Sequence, residues 1–255
     1  MNRTLFRLSL VLAAVACSSA AAQPATLAEI RKTGVLRLAT EGNYPPFNYF
    51  KGKTLTGFEV DLGNAIAKQM GLKPQWTTIV FDSLLIGLAQ NKYDLVIASH
   101  GITPERQKAV SFSNPHYCSG GVLVSRPGGP KTLADLKGKV VTLGVNTSYL
   151  QYAQRLPGLK EIKTLPTTND QLTAVLVKRA DTMVLDRFNA LDVVKTMPGK
   201  LQIGDVIFPE RIGMAVGLGN TSLVSAVNAA LEKLMADGTY AKLSKAYFGQ
   251  DVRCP

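Results

Sequence analysis

Arg106 has the most unusual setting of the residues able to do chemistry. It lies in Thr103-Pro104-Glu105-Arg106, which reads as a helix N-cap followed by proline at the first helical position. A capping box would place Glu at 106. A cation in the first turn opposes the helix dipole by ~0.3–1 kcal/mol, so some other contact should favour it. A carboxylate would, because a guanidinium grips one with two parallel hydrogen bonds. The alternative is an exposed arginine offset by Glu105. Other candidates carry similar pairs of readings. Asp186 is able to hold an ammonium or to cap the helix that follows it. Asn146, Thr147 and Ser148 sit where a strand meets a helix, as an anion site or a plain capped turn. Tyr44 and Phe81 serve as flat ligand walls or as core aromatics. Glu41, Ser99, His100 and Gly101 complete the set, with His100 readable as a packed loop histidine.

These residues share one placement. Each follows a strand-like run: Glu41 and Tyr44 after residues 35–39, Phe81 after 75–80, Ser99, His100 and Gly101 after 95–98. Asn146, Thr147 and Ser148 follow 140–145, and Asp186 follows 182–185. In open α/β sheets, ligands bind beyond the carboxyl ends of the strands. Acids, hydroxyls and aromatics from two blocks of chain suit a small zwitterion gripped from two sides. Helical segments alternate with the strands. Phe58, Leu62, Ile66 and Met70 are four apart before Gly71, and Leu223, Val227, Leu231 and Leu234 share a face. Alternating β and α elements predict parallel, helix-covered sheets. Arg126-Pro127-Gly128-Gly129-Pro130 breaks the pattern, and Phe208-Pro209 punctuates it again. One lobe is therefore expected from both ends of the chain, residues 23–123 plus 210–255, with a second lobe, 124–209, inserted between them.

Composition excludes several classes. The chain has 255 residues, 46% hydrophobic and 18% charged, which fits a globular protein rather than a disordered one. The net charge of +11 comes from scattered Lys and Arg with no basic run interleaved with aromatics, so no nucleic-acid partner is expected. No Ser-His-Asp order, phosphate loop or Cys-His metal spacing occurs, and only His100 and His116 exist. No catalytic residue, metal or cofactor is predicted. Arg3 and Arg7, the apolar run 8–16 and Ala20-Ala21-Ala22 read as a secretory signal peptide over residues 1–22. Ala14-Val15-Ala16-Cys17 loosely resembles a lipoprotein cleavage site, which would give a lipid-anchored form instead. Either cleavage leaves Cys118 and Cys254, and an exported protein with two cysteines usually joins them; two free thiols are the alternative.

At this point the sequence resembles the bacterial periplasmic substrate-binding proteins of polar amino-acid ABC transporters, solute-binding protein family 3. The matching motifs are Thr40-Glu41-Gly42-Asn43-Tyr44-Pro45-Pro46-Phe47, Gly57-Phe58-Glu59-Val60-Asp61-Leu62, and Ile102-Thr103-Pro104-Glu105-Arg106 followed by Phe112-Ser113. Asp135-Leu136-Lys137-Gly138-Lys139-Val140 and Asp237-Gly238-Thr239-Tyr240 match as well. The resemblance implies a two-lobed periplasmic-binding-protein fold (type II), an α/β architecture with a mixed, mostly parallel sheet in each lobe. It implies that Arg106 holds the ligand α-carboxylate, helped by backbone amides near Gly101 and Thr147, and that Asp186 holds the α-ammonium. Phe81 and Tyr44 would sandwich the side chain, and Glu41 would read its polar end or help with the ammonium. The lobes would close about hinges near 120–125 and 207–213, and a monomer would dock on a membrane permease. Gly101 replaces a frequent Ser or Thr, Glu41 a common Asp, and Asn146-Thr147-Ser148 the usual Gly-Ser-Thr turn. Those departures leave the selected side chain open. Two other readings are an exported dehydratase acting on a prephenate-like acid, with Glu41 or His100 as acid or base, and a sensor module serving a separate receptor.

Overall fold

A computed structural model describes residues 24–255. The leader and the alternative anchor at Cys17 lie outside the described residues. Thr26 and Glu29 form a reciprocal capping box that starts α1 (Leu27–Thr33), a helix the sequence pattern did not suggest. Then come β1 (Val35–Thr40), three short strands β2 (Asn43–Tyr44), β3 (Asn48–Lys51) and β4 (Thr54–Thr56), and α2 (Phe58–Gln69). Gly57 precedes α2 at φ 124°, and a Cβ there would stand 2.3 Å from the Phe47 carbonyl oxygen. Only glycine fits that close approach. The chain continues through β5 (Lys73–Thr78), α3 (Phe81–Ala89), β6 (Leu95–Val96) and α4 (Pro104–Gln107) to a long strand, β7 (Val110–Ser125).

The inserted block runs through β8 (Val140–Gly144), α5 (Ser148–Ala153), β9 (Glu161–Leu165), α6 (Thr168–Leu176), β10 (Thr182–Asp186) and α7 (Arg187–Thr196). A second long strand, β11 (Gln202–Gly217), returns antiparallel to β7, and α8 (Thr221–Ala236) and α9 (Thr239–Phe248) follow. The two lobes are hydrogen-bonded into one continuous sheet of order β5-β1-β6-β11-β7-β10-β8-β9. Within it β5-β1-β6 and β10-β8-β9 are parallel, and the β7–β11 pair carries the connection.

Burial follows the period-two alternation of a sheet covered on both faces. Ile212, Met214 and Val216 join Leu36, Leu38 and the buried stripes of α2 and α8 in one core. Ala215, between them, faces a second core with Leu84, Leu88 and Val96. The other lobe repeats the arrangement. Val122, Val124, Met183 and Leu185 pack toward α6 and α7, while Leu123, Val184, Val141 and Leu143 pack toward Tyr149. The expected helix faces are buried at Phe58, Leu62, Ile66, Leu223, Val227, Leu231 and Leu234. Cys118 on β7 is disulfide-bonded to Cys254. The Cys118 amide also donates to the Val252 carbonyl at 3.0 Å, so the C-terminal tail lies along the hinge strand.

Candidate functional site

A cavity of about 170 Å³ lies between the lobes. The carboxyl ends of the parallel strands deliver its walls, as expected for an open α/β sheet. One lobe contributes Glu41, Tyr44, Phe81, Ser99 and Arg106, and the other contributes Thr147, Ser148 and Asp186. Of the residues singled out in the sequence, these eight line the cavity. His100, Gly101 and Asn146 stand behind it. The lobes touch beside the cavity. The Asn189 amide donates to the Pro45 carbonyl, and Phe188 of α7 packs 4.8 Å from Phe248, ring centre to ring centre.

Arg106 is buried at the junction. Thr103 caps α4, accepting from the Arg106 amide at 3.2 Å, with Pro104 at the first position as the sequence predicts. The guanidinium donates to the Gly101 carbonyl and across the cleft to the Asn146 carbonyl, each at 2.9 Å. It also stands 5.7 Å from the Phe81 ring centre. Gly101 and Asn146 thus act through carbonyls that orient Arg106, and the remaining N–H donors of the fork are left for an anion. Asn146 is left-handed at φ 57°, a conformation its short polar side chain tolerates. Thr147 caps α5 through the Leu150 amide at 3.1 Å.

Asp186 caps the helix that follows it, one of its two sequence readings. Oδ1 accepts from the Phe188 amide at 2.7 Å and from the Asn189 amide at 3.4 Å, capping α7. Oδ2 is buried without a hydrogen bond, although the Ser119 hydroxyl is near enough to favour its charge. Burial pushes the carboxyl up to about 7. Glu41 is likewise pushed up to about 7, by burial first and then by the charges of Glu59 and Asp82. Phe81 stacks on His100, centroids 4.3 Å apart and 14° from parallel. Burial, aided by the Arg106 charge, holds His100 well below the usual imidazole range, so the ring is neutral. His100 therefore supports Phe81 from behind. Ser99, left-handed at φ 52°, donates its amide and hydroxyl to the fully buried Glu59 at 2.7 and 3.1 Å. Glu59 also meets His116 at 3.0 Å and Asn48 at 2.8 Å, which fixes the floor beneath Ser99.

Tyr149, Gln171 and Glu210 are polar lining residues that were not anticipated. Gln171 is buried with Oε1 unpartnered. Glu210 lies on β11, 8% exposed, and accepts a hydrogen bond from the Ser148 hydroxyl. Its signal in the sequence is an acid directly after Pro209, legible only once β11 is extended past that proline. Among the described residues, no cluster of three His, Cys, Asp or Glu could hold a metal ion.

Two helix-covered lobes joined by paired hinge strands, with opposite charges in the cleft between them, define the class of two-lobed solute-binding proteins of type II fold. The chain belongs to the bacterial extracellular solute-binding proteins, family 3, whose profile matches residues 36–250. It is 34% identical over 232 residues to the L-cystine-binding protein TcyJ of Escherichia coli (strain K12), covering 89% of this chain and 87% of that one. An ancestral arginine-binding protein bound to glutamine is similar at TM-score 0.80 and 35% identity, covering 85% of this chain and 99% of the other. The ancestral amino acid-binding protein AncCDT-1, a precursor of cyclohexadienyl dehydratase, is similar at TM-score 0.80 and 32% identity, covering 87% and 98%.

Proposed function

We propose that this protein captures a small polar amino acid outside the cytoplasm and delivers it to the permease of an ABC transporter. The carrying observation is the pair of buried, opposite groups, Arg106 and Asp186, lining one cavity from opposite lobes. Arg106 holds the α-carboxylate, with the amides at the start of α5 assisting. Asp186 Oδ2 takes the α-ammonium, which restores the partner that burial denies it. Tyr44 and Phe81 flank the side chain, and Glu41 meets its far end. Lobe 1 comprises 23–123 and 210–255 and lobe 2 comprises 124–209, opening about β7 and β11. The cavity is lined by Glu41, Asp82, Asp186 and Glu210 together with the cation of Arg106. That excess of carboxylates favours a ligand with a cationic side chain. Export by the leader places the monomer in the periplasm. Calorimetric titration with the twenty amino acids tests the reading, and binding by none would overturn it.

A dehydratase reading has one specific support besides AncCDT-1. Glu41 and Asp186 both titrate near neutrality, where a general acid works best. Release of phenylpyruvate from prephenate would establish it. The sensor reading differs only in the partner that receives the closed form.

A further inference from the structure

Glu210 lines the cavity, but the capture scheme above gives it no contact with the ligand. It sits on β11 opposite Ser119 of β7, in the wall between the cavity and an outer groove lined by Gly101, Phe208 and Arg211. A Cβ placed on Gly101 would meet Glu210 Oε1 at 2.4 Å and Cδ at 3.3 Å. The carboxyl therefore stands where a side chain at 101 would stand. The same oxygen accepts from the Ser148 hydroxyl, and Arg106 donates to the Gly101 carbonyl at 2.9 Å. One corner thus gathers Arg106, Ser148 and a carboxylate that arrives from the hinge strand. It is the corner to which a ligand carboxylate must come. Two carboxylates sharing one cation in a desolvated site disfavour joint ionisation.

We propose that Glu210 is a ligand-contacting residue that couples capture to proton uptake. As the ligand carboxylate settles on Arg106, the Glu210 carboxyl takes a proton from solvent, and the neutral acid donates that proton in a hydrogen bond to the ligand. The inference rests on the amino-acid-capture reading. Burial already raises the pKa of Glu210, against the opposing pull of Ser148, Tyr149 and Arg106. The groups facing it are Arg106 from α4, Ser148 and Tyr149 from α5, Asp186 at the end of β10 and Tyr44 on β2. Asp186 and Glu41 work in the opposite sense, because pairing with a cation releases their protons. The wild-type pH profile is the difference of the two effects, so a variant must isolate Glu210.

Glu210→Gln does so. The amide is neutral at every pH, accepts from Ser148 and donates to a carboxylate. The full chain is titrated with the twenty amino acids and L-cystine. The tightest binder is then titrated at pH 8 in two buffers of different ionisation enthalpy. Wild type should take up more protons than E210Q, by up to about half a proton per ligand for one pKa unit of linkage. E210Q should bind tighter at pH 8, by up to about tenfold for that unit, and the difference should shrink as pH falls. Equal proton counts, or weaker binding by E210Q at pH 8 with an unchanged melting temperature, would overturn the proposal. Gly101→Ser gives an independent check. Its side chain overlaps the Glu210 oxygen, so it should weaken binding, and adding Glu210→Ala should restore it. G101S binding like wild type would show that the carboxyl does not occupy this corner. Failure of wild type to bind any probe would instead remove the capture reading, and this inference with it.

Discussion

Asp186 makes the protein less stable as pH rises. Its carboxyl is held at about 7, against 3.8 for an ordinary aspartate, and burial is the main cause. A raised acid pKa means that the folded state keeps a proton which the unfolded chain has released. Stability is therefore unaffected below about pH 4, falls across the window from about 4 to 7, and stays reduced above it. Three units at 1.36 kcal/mol each give about 4 kcal/mol at pH 8 and about 2 kcal/mol at pH 5. Asp186→Asn removes the charge and keeps an oxygen to cap α7, since Asn is as good an N-cap as Asp. Ligand-free D186N should thus exceed wild type in urea unfolding free energy at pH 8 by up to about 4 kcal/mol, with the gain shrinking toward zero at pH 4. Opening of the cleft rehydrates the carboxylate, which reduces the gain without reversing it. D186N should also bind ligand far more weakly, because the ammonium loses its counter-charge. The same buried carboxylate that costs stability when unpaired is compensated by a ligand ammonium. A variant less stable than wild type at pH 8, or a gain that does not change with pH, would refute the reasoning.

Two further outcomes follow from the same geometry. Arg106→Ala should weaken binding at least ~30-fold, since truncating one side of a buried charge pair costs ~2–5 kcal/mol. Its circular dichroism should be unchanged, because Thr103 still caps α4. Cys118→Ser with Cys254→Ser opens a loop of 136 residues, which chain entropy values at about 5 kcal/mol. Urea unfolding should show a loss of that order, while ligand affinity holds because neither cysteine lines the cavity.

Helices with a continuous apolar stripe were legible in the sequence. In α2 and α8 the four-residue spacing marks the helix, and the buried faces are the expected ones. Arg106, Asp186 and the turn at 146–148 were legible for a related reason: each sits at or close to a helix-capping residue. The hinge strands were harder. Only residues 121–124 and 213–217 read as strand, yet β7 and β11 each run sixteen residues. Pro115, Gly120 and Pro209 interrupt the apolar run, and the ladder shifts register at Val206, Phe208 and Gly213. A proline can sit in a ladder at such an irregularity, so the local signal for a break was misleading. Glu210 was lost with that stretch. The strand β9 was missed because an edge strand carries polar residues such as Glu161 and Lys163. The partnership of Gly101 with Glu210 spans 109 positions, and no local pattern could announce it.

The most direct test of the account is calorimetric titration of the leader-free protein with each of the twenty amino acids, in parallel with Arg106→Ala. The account predicts one or a few tight binders, among them an amino acid with a cationic side chain, and loss of that binding in the variant. Binding by none of the twenty, or equal affinity in wild type and Arg106→Ala, would contradict it.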